Sequence, residues 1–510
     1  MFTYFHCYHP QTWEAQKECG LIDEHAGVRF MQTATLPEKL KFNNLAAKSS
    51  SFYNMILESR LPMYIDRLQG GVVFEDYKFD WRLVECYREM LGDKFIGFQM
   101  HEWGSNIKSD FNKITSNNCP EWTAEAITET IRRAFPYEHT FVEAMNVEEY
   151  AALGGVPKTY REYLTYLWLE AQSAKEYALC GNPQTADEFI NITETLFKNR
   201  YELCSCQLIP CDSYGLAYQT EINCGVKHFM PEIGAQTPDT RIQIAYARGM
   251  ARNKNVSFGI YYEPWGGKPF STCCYHKENE NEWGIKGLGD LAYETKGSNG
   301  GSSRSLQKRI QLYSYFAGAD FISEEWGMCN TFYDWKDFEL TPYGKIKLNF
   351  LNIIKKYPKE KIGTPYTPVA VVLPKDLFGI AGLDDGDNQT VFGYPLFGSA
   401  AETMRNVRKA LKSLLSNSSD MIGCETANII NSDIPDCIDI IHEDYIRLHE
   451  DYKFFVDLTG NPEFRRNHRC ISVEEAPEIL KNLLPCEVSG GVHWFVNKTA
   501  DGWLLVMFNN

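Results

Sequence analysis

The sequence predicts an α/β protein: a (β/α)8 barrel, then a smaller α/β domain, then the opening of a β-domain. Three observations carry this. About eight short β-rich runs recur over the first two thirds of the chain, each ending in polar residues and followed by a helical stretch, the count and span of such a barrel with insertions. No glycine-rich dinucleotide fingerprint follows any of these runs, which argues against a doubly wound nucleotide-binding sheet. Beyond a proline-containing stretch at 363–368 the alternation of strand and helix resumes on a shorter scale.

The eight strands are expected at 2–8, 28–32, 63–66, 95–101, 208–213, 228–233, 257–262 and 320–323. A helix over 239–251 starts near Asp239 and spaces Ile242, Ala245, Ala247 and Met250 at helical intervals; 305–316 repeats the design with Leu306, Ile310 and Tyr313. The stretch 119–200 is mostly helical and longer than one crossover, so an insertion is expected there. A last helix over 341–361 has Pro342 in its first turn, where proline is tolerated. The barrel domain is thus set at 1–362 and an assembly domain at 363–490, with a strand at 369–373, a helix at 400–415, and further strand and helix at 454–456, 470–473 and 477–484. Residues 491–510 read as a hairpin around a polar turn at 498–502, the start of a β-domain that the chain leaves unfinished.

Composition narrows the function. The 510 residues carry 51 Lys and Arg against 67 Asp and Glu, a net charge of −16, which disfavours nucleic acid and anionic membranes as partners. A charged fraction of 23% and a hydrophobic fraction of 44% exclude a disordered or fibrous chain. No apolar run reaches the ~20 residues of a membrane span, and residues 1–10 lack a signal peptide's basic and apolar regions. The 16 cysteines are irregularly spaced, as expected of reduced thiols in the cytoplasm.

Barrels of this kind place reactive residues where strands end. Those ends read Asp66-Arg67, His101-Glu102-Trp103, Asp212, Glu221, Glu232, Tyr262-Glu263-Pro264-Trp265 and Glu324-Glu325-Trp326. A lone strand-end acid is usually a solvated cap or an ion-pair partner; several at one mouth, three beside tryptophan, are harder to explain by packing. Cleavage of a glycosidic bond needs such a set: one carboxyl group protonated to help the leaving oxygen depart, another ionised to attack the anomeric carbon or activate water. Strand alternation turns Glu263, Glu232, Asp66, His101 and Gln99 inward, and Tyr4, His6 and Tyr8 likewise; it turns Tyr262 outward and speaks against Glu102 unless the strand has ended there.

With Glu102 ending the fourth strand and Glu263 the seventh, the chain resembles the large clan of retaining (β/α)8 glycosidases, with His101 standing where that clan usually has asparagine. The barrel followed by a flavodoxin-like domain and a β-domain resembles the family 42 β-galactosidases, which form trimers through the middle domain. The resemblance implies a retaining glycosidase on a β-linked, galactoside-like sugar, with Glu102 as acid/base, Glu263 as nucleophile, a homo-oligomer and no cofactor. Two alternatives stay open: an inverting enzyme pairing Glu102 with Glu232 or Glu325, and a carbohydrate-binding barrel without turnover.

The remaining candidates have plain readings beside the functional ones. Trp103, Trp265 and Trp326 offer indole faces to a sugar or merely close the barrel top. Arg67 holds a sugar hydroxyl or fixes a carboxylate, and His101 orients Glu102, touches substrate or is a satisfied strand-end histidine. Asp66, Glu232, Tyr262 and Glu325 complete the expected sugar-binding set. Cys204, Cys206 and Cys211, and separately Cys273, Cys274 and His276, lack the paired spacing of a zinc site, so no metal is expected. Arg241, Arg248 and Arg252 share a helix face that is solvated or ion-paired. The long loop 266–301, with Trp283, follows the seventh strand as a substrate-shaping element.

Overall fold

The fold comes from a computed structural model that describes residues 1–7, 10–31, 60–69, 91–134, 172–213, 218–234, 240–263, 304–325, 331–334, 336–375, 390–415 and 432–508, with a few single positions besides. Eight parallel strands close into a barrel: β1 (Thr3–Cys7), β2 (Ala26–Met31), β3 (Met63–Gln69), β4 (Phe95–His101), β5 (Leu208–Asp212), β6 (His228–Gly234), β7 (Ser257–Glu263) and β8 (Phe321–Glu324), with β8 pairing back onto β1. All eight lie where the sequence places them, within two or three residues at each end.

Alternation along the strands sorts side chains into two layers. Phe5, Tyr64, Ile209, Cys211, Met230, Tyr261 and Phe321 fill the barrel interior. Phe98, Met100, Phe229, Ile233, Phe258, Ile260 and Tyr262 face the surrounding helices. The expectation for β1 is reversed: Phe5 points inward, while Tyr4 packs outward on Phe350 and stacks on His6. The reason is a polar network between barrel and helices, in which the Tyr4 hydroxyl donates to Glu324 and Lys347 pairs with the same carboxylate. Such a buried carboxylate is tolerated only because it is paired and hydrogen-bonded.

Among the described residues the barrel's main helices are α1 (Pro10–Glu18), α2 (Trp103–Ser116), α3 (Ala124–Ala134), α4 (Gln172–Cys180), α5 (Ala186–Leu203), α6 (Gln219–Asn223), α7 (Thr240–Lys254), α8 (Arg304–Phe316) and α9 (Pro342–Lys356). α3 and α4 lie in the stretch expected to be an insertion. α5 opens with a capping box in which Thr185 accepts from the Glu188 amide and Glu188 accepts from the Thr185 amide. Thr341 caps α9 ahead of Pro342.

A second sheet has four parallel strands in the order β11 (Ile438–His442), β10 (Val369–Leu373), β12 (Phe454–Asp457), β13 (Cys470–Ile471), with α10 (Gly398–Leu415), α11 (Pro462–Asn467) and α12 (Ala476–Leu483) in the same region. Among the described strands of this sheet, β11 is the one that the sequence reading lacks. The 363–368 stretch is no bare linker: β9 (Thr364–Pro365) pairs with β14 (His493–Thr499), which forms the expected hairpin with β15 (Gly502–Phe508).

Barrel and second sheet meet on α7. Its Gly249 lies so close to the Ile440 carbonyl that an added Cβ would stand 2.1 Å from the oxygen. Of the three arginines of α7, Arg241 and Arg248 are buried and Arg252 is part-buried, and two are ion-paired: Arg248 Nε donates to Asp439 Oδ1 at 2.5 Å and Arg252 Nη1 to Asp439 Oδ2 at 3.1 Å, while Arg241 Nη2 donates to the Ile434 carbonyl at 3.0 Å. No described helix is long and apolar enough to cross a membrane.

Candidate active site

The C-terminal ends of β4, β5 and β6 bring three of the expected residues, His101, Glu102 and Glu232, to one mouth. On β4, Gln99 and His101 face inward, as alternation requires; His101 is 6% exposed and meets Tyr261 edge-on across the barrel. Glu102 would follow on the outward side, but its backbone turns left-handed (φ 47°, ψ 51°) and ends the strand. That conformation costs a non-glycine residue about 1 kcal/mol and is anchored by the Glu102 amide donating to the Cys211 carbonyl at 2.7 Å. The turn answers the parity objection. It leaves the Glu102 side chain a third exposed, with Oε2 3.9 Å from His101 Nε2 and Oε1 accepting from Ser213 Oγ at 2.9 Å.

Glu232 is 3% exposed on β6, with Oε2 4.0 Å from the same His101 nitrogen. The two carboxylates therefore flank one imidazole. Glu325 follows β8, is 4% exposed, and its amide donates to the Tyr262 carbonyl at 2.8 Å. Glu263 is the last residue of β7, two positions beyond the inward Tyr261. The side chains of Glu263, Asp66 and Arg67, and the whole of Trp265, Trp326, Trp283 and Tyr8, lie outside the described residues, as does the bulk of the 266–301 loop.

Two of the expected sugar contacts sit elsewhere. Tyr262 is fully buried in the layer between β7 and the helices, on the outward side that its alternation required. Trp103 begins α2 and is 2% exposed; its indole N–H donates to the Thr193 carbonyl at 2.9 Å and its ring meets Phe197 edge-on. It binds α2 to α5 and offers no open face at the mouth.

Asp212 and Glu221 also depart from the mouth. Ile209 and Cys211 take the inward positions of β5, so Asp212 points out, and it lines a cavity with Glu221, Trp103, Gly104, Thr193 and Phe392. Both Asp212 carboxylate oxygens lack a hydrogen-bond partner among the described residues. Burial, reinforced by Glu221 and Glu102, holds the Asp212 carboxyl well above the usual range, and burial lifts Glu221 to about 8. Glu221 is thereby protonated near neutrality. Ser213 is the mouth residue that sequence reasoning passed over; its signal was its place one residue beyond β5, level with Glu102.

Comparison with known proteins adds little. No protein-family model and no curated protein sequence matches the chain. Among solved structures, a cold-adapted β-galactosidase from Rahnella sp. R3 aligns at a TM-score of 0.38 and 10% identity, over 89% of this chain and 67% of that one. The α-L-fucosidase isoenzyme 2 from Paenibacillus thiaminolyticus aligns at 0.34 and 9%, with the same coverage. At those scores the alignments carry no argument, and the barrel rests on its own closed strand order.

Proposed function

We propose that this chain is a glycoside hydrolase working with two carboxyl groups at the barrel mouth: Glu102 as acid/base and Glu263 as nucleophile, on a β-linked, galactoside-like sugar. The observation that carries the reading is the left-handed turn that ends β4 and brings Glu102 beside His101 and the buried Glu232. In the strand order β7, whose last residue is Glu263, stands three places round the barrel from β4, which Glu102 follows. A retaining enzyme needs its carboxyls ~5–5.5 Å apart and an inverting one ~6.5–9.5 Å. The strand geometry supports a pair on opposite sides of a bound ring. Asp66, Arg67, His101, Glu232 and Glu325 position the sugar, and the chemistry requires no cofactor.

The second sheet, read by chain order as 2-1-3-4, supports a flavodoxin-like domain, and we assign it to assembly of a cytoplasmic homo-oligomer. The test is a panel of nitrophenyl β-galactosides, β-glucosides and α-L-fucosides, with Glu102→Gln and Glu263→Gln as variants. Turnover in the parent and a loss of more than about a hundredfold in each variant supports the reading. Full activity in Glu263→Gln removes the nucleophile, and sugar binding without turnover replaces the enzyme with a binding barrel. Proton NMR of the first-formed anomer separates retention from inversion through Glu232 or Glu325.

A further inference from the structure

Three adjacent strands each send one metal-binding side chain to the same point of the barrel interior: His101 from β4, Cys211 from β5 and Glu232 from β6. One donor atom of each lies within 4.8 Å of the other two, and all three residues are buried. We propose that this cluster is a binding site for a divalent transition metal, zinc by preference, with three protein ligands and a fourth position opening to the mouth beside Glu102.

The donors suit such an ion. An imidazole nitrogen, a thiolate and a carboxylate form a borderline-soft set that selects zinc over magnesium or calcium, and three ligands with one open position is the pattern of sites that take an exchangeable water or ligand. From bonds of about 2.0–2.3 Å, the ligand atoms of a tetrahedral zinc stand about 3.4–3.6 Å apart. Side-chain rotation of about 1 Å closes the cluster to that size. His101 and Cys211 are already direct neighbours in the β4–β5 register, which fixes two of the three.

Charge and hydrogen bonding point the same way. One divalent ion would balance the charges of a Cys211 thiolate and the Glu232 carboxylate. Metal-bound histidines generally donate their second ring N–H to an orienting acceptor. Gln99, fully buried two residues before His101, has its amide nitrogen 3.4 Å from His101 Nδ1, and its Oε1 has no hydrogen-bond partner among the described residues. Turning that amide over lets Oε1 accept from Nδ1–H, satisfies the orphaned oxygen and makes Nε2, which faces Glu102 and Glu232, the nitrogen that carries the lone pair. Binding deprotonates the Cys211 thiol, releasing its proton to solvent. A bound ion would stand between His101, Glu232 and whatever enters the mouth.

The test needs no turnover, so it stands apart from the glycosidase reading. The protein is purified without chelator and its metal content measured by mass spectrometry; metal-free protein is then titrated with cobalt(II) while the near-ultraviolet and visible spectrum is followed. About one zinc per chain, a thiolate-to-cobalt charge-transfer band, loss of that band in Cys211→Ser, and affinity weakened more than about tenfold in Glu232→Gln support the site. Cys206→Ser, at an exposed cysteine, leaves the band in place. A parent that binds cobalt without a thiolate band overturns the proposal whether or not Cys211→Ser folds, as does a band that survives Cys211→Ser.

Discussion

Ser213 Oγ donates a hydrogen bond to Glu102 Oε1 at 2.9 Å, tying the residue after β5 to the residue after β4. Glu102 is otherwise set by its backbone: its amide bonds to Cys211 and its φ is positive. The serine therefore fixes the carboxyl's direction, not its location. Ser213→Ala is expected to lower kcat about three- to tenfold on any glycoside the parent cleaves, with KM and the unfolding midpoint unchanged, since one hydrogen bond at a part-exposed site is worth about 1 kcal/mol. Steady-state kinetics checks this; unchanged kcat shows that the turn alone aims Glu102.

Glu221 gives a pH prediction with a definite sign. Burial raises its carboxyl from 4.5 to about 8, so the native chain keeps a proton that the unfolded chain has lost. Stability from this group is complete below about pH 4.5 and is lost as pH rises toward about 8. Glu221→Gln keeps the neutral form at every pH. Urea unfolding from pH 4 to 9 is expected to show parent and variant alike at the acid end, with the variant more stable by a few kcal/mol near pH 9. A constant difference across the range would mean that Glu221 is already ionised in the folded chain.

How much of this was legible in the sequence follows from where polar groups were spent. The barrel strands were readable because their outward residues are apolar and their ends polar, and that same alternation turned Gln99, His101 and Glu232 inward and Tyr262 outward. It misjudged β1, where Tyr4 faces the helices because Glu324, itself paired with Lys347, accepts from its hydroxyl, and His6 stacks on Tyr4. It missed β11, whose Asp439 breaks an apolar run and is tolerated only because two arginines of α7 reach it. The turn at Glu102 had no local signal: nothing in the neighbouring residues announces a left-handed conformation. The role of Trp103 depended on α5, some ninety residues away in sequence.

Trp103 separates packing from sugar binding. Its indole is held between Thr193 and Phe197, so Trp103→Phe is expected to cost about 1–2 kcal/mol through the lost N–H bond and reduced contact, lowering the unfolding midpoint by a few degrees. Affinity for sugars, read by titration calorimetry, should stay as in the parent. A loss of sugar affinity without loss of stability would return Trp103 to the mouth.

Arg248 is the strongest test of how the barrel holds the second sheet. Its guanidinium donates to Asp439 Oδ1 at 2.5 Å and to the Ile438 carbonyl at 2.8 Å, and lies 3.7 Å from Asp436 Oδ1. Burial alone would raise the Asp439 carboxyl, but Arg248 and Arg252 outweigh it and hold it below the usual range. Asp436 behaves likewise, with burial opposed by His493 and Arg248. Arg248→Met leaves two buried carboxylates with weakened compensation and is expected to cost about 3–5 kcal/mol. Because depressed carboxylates contribute stability above their unfolded pKa and lose it as pH falls, the parent's acid unfolding should steepen below about pH 4, and the variant's should be shallower. Replacing Asp439 by Leu in the Arg248→Met background removes one under-compensated buried carboxylate and should recover part of the loss. A single variant within about 1 kcal/mol of the parent by urea unfolding would show that the close packing of Gly249 on Ile440, rather than charge, joins the two units.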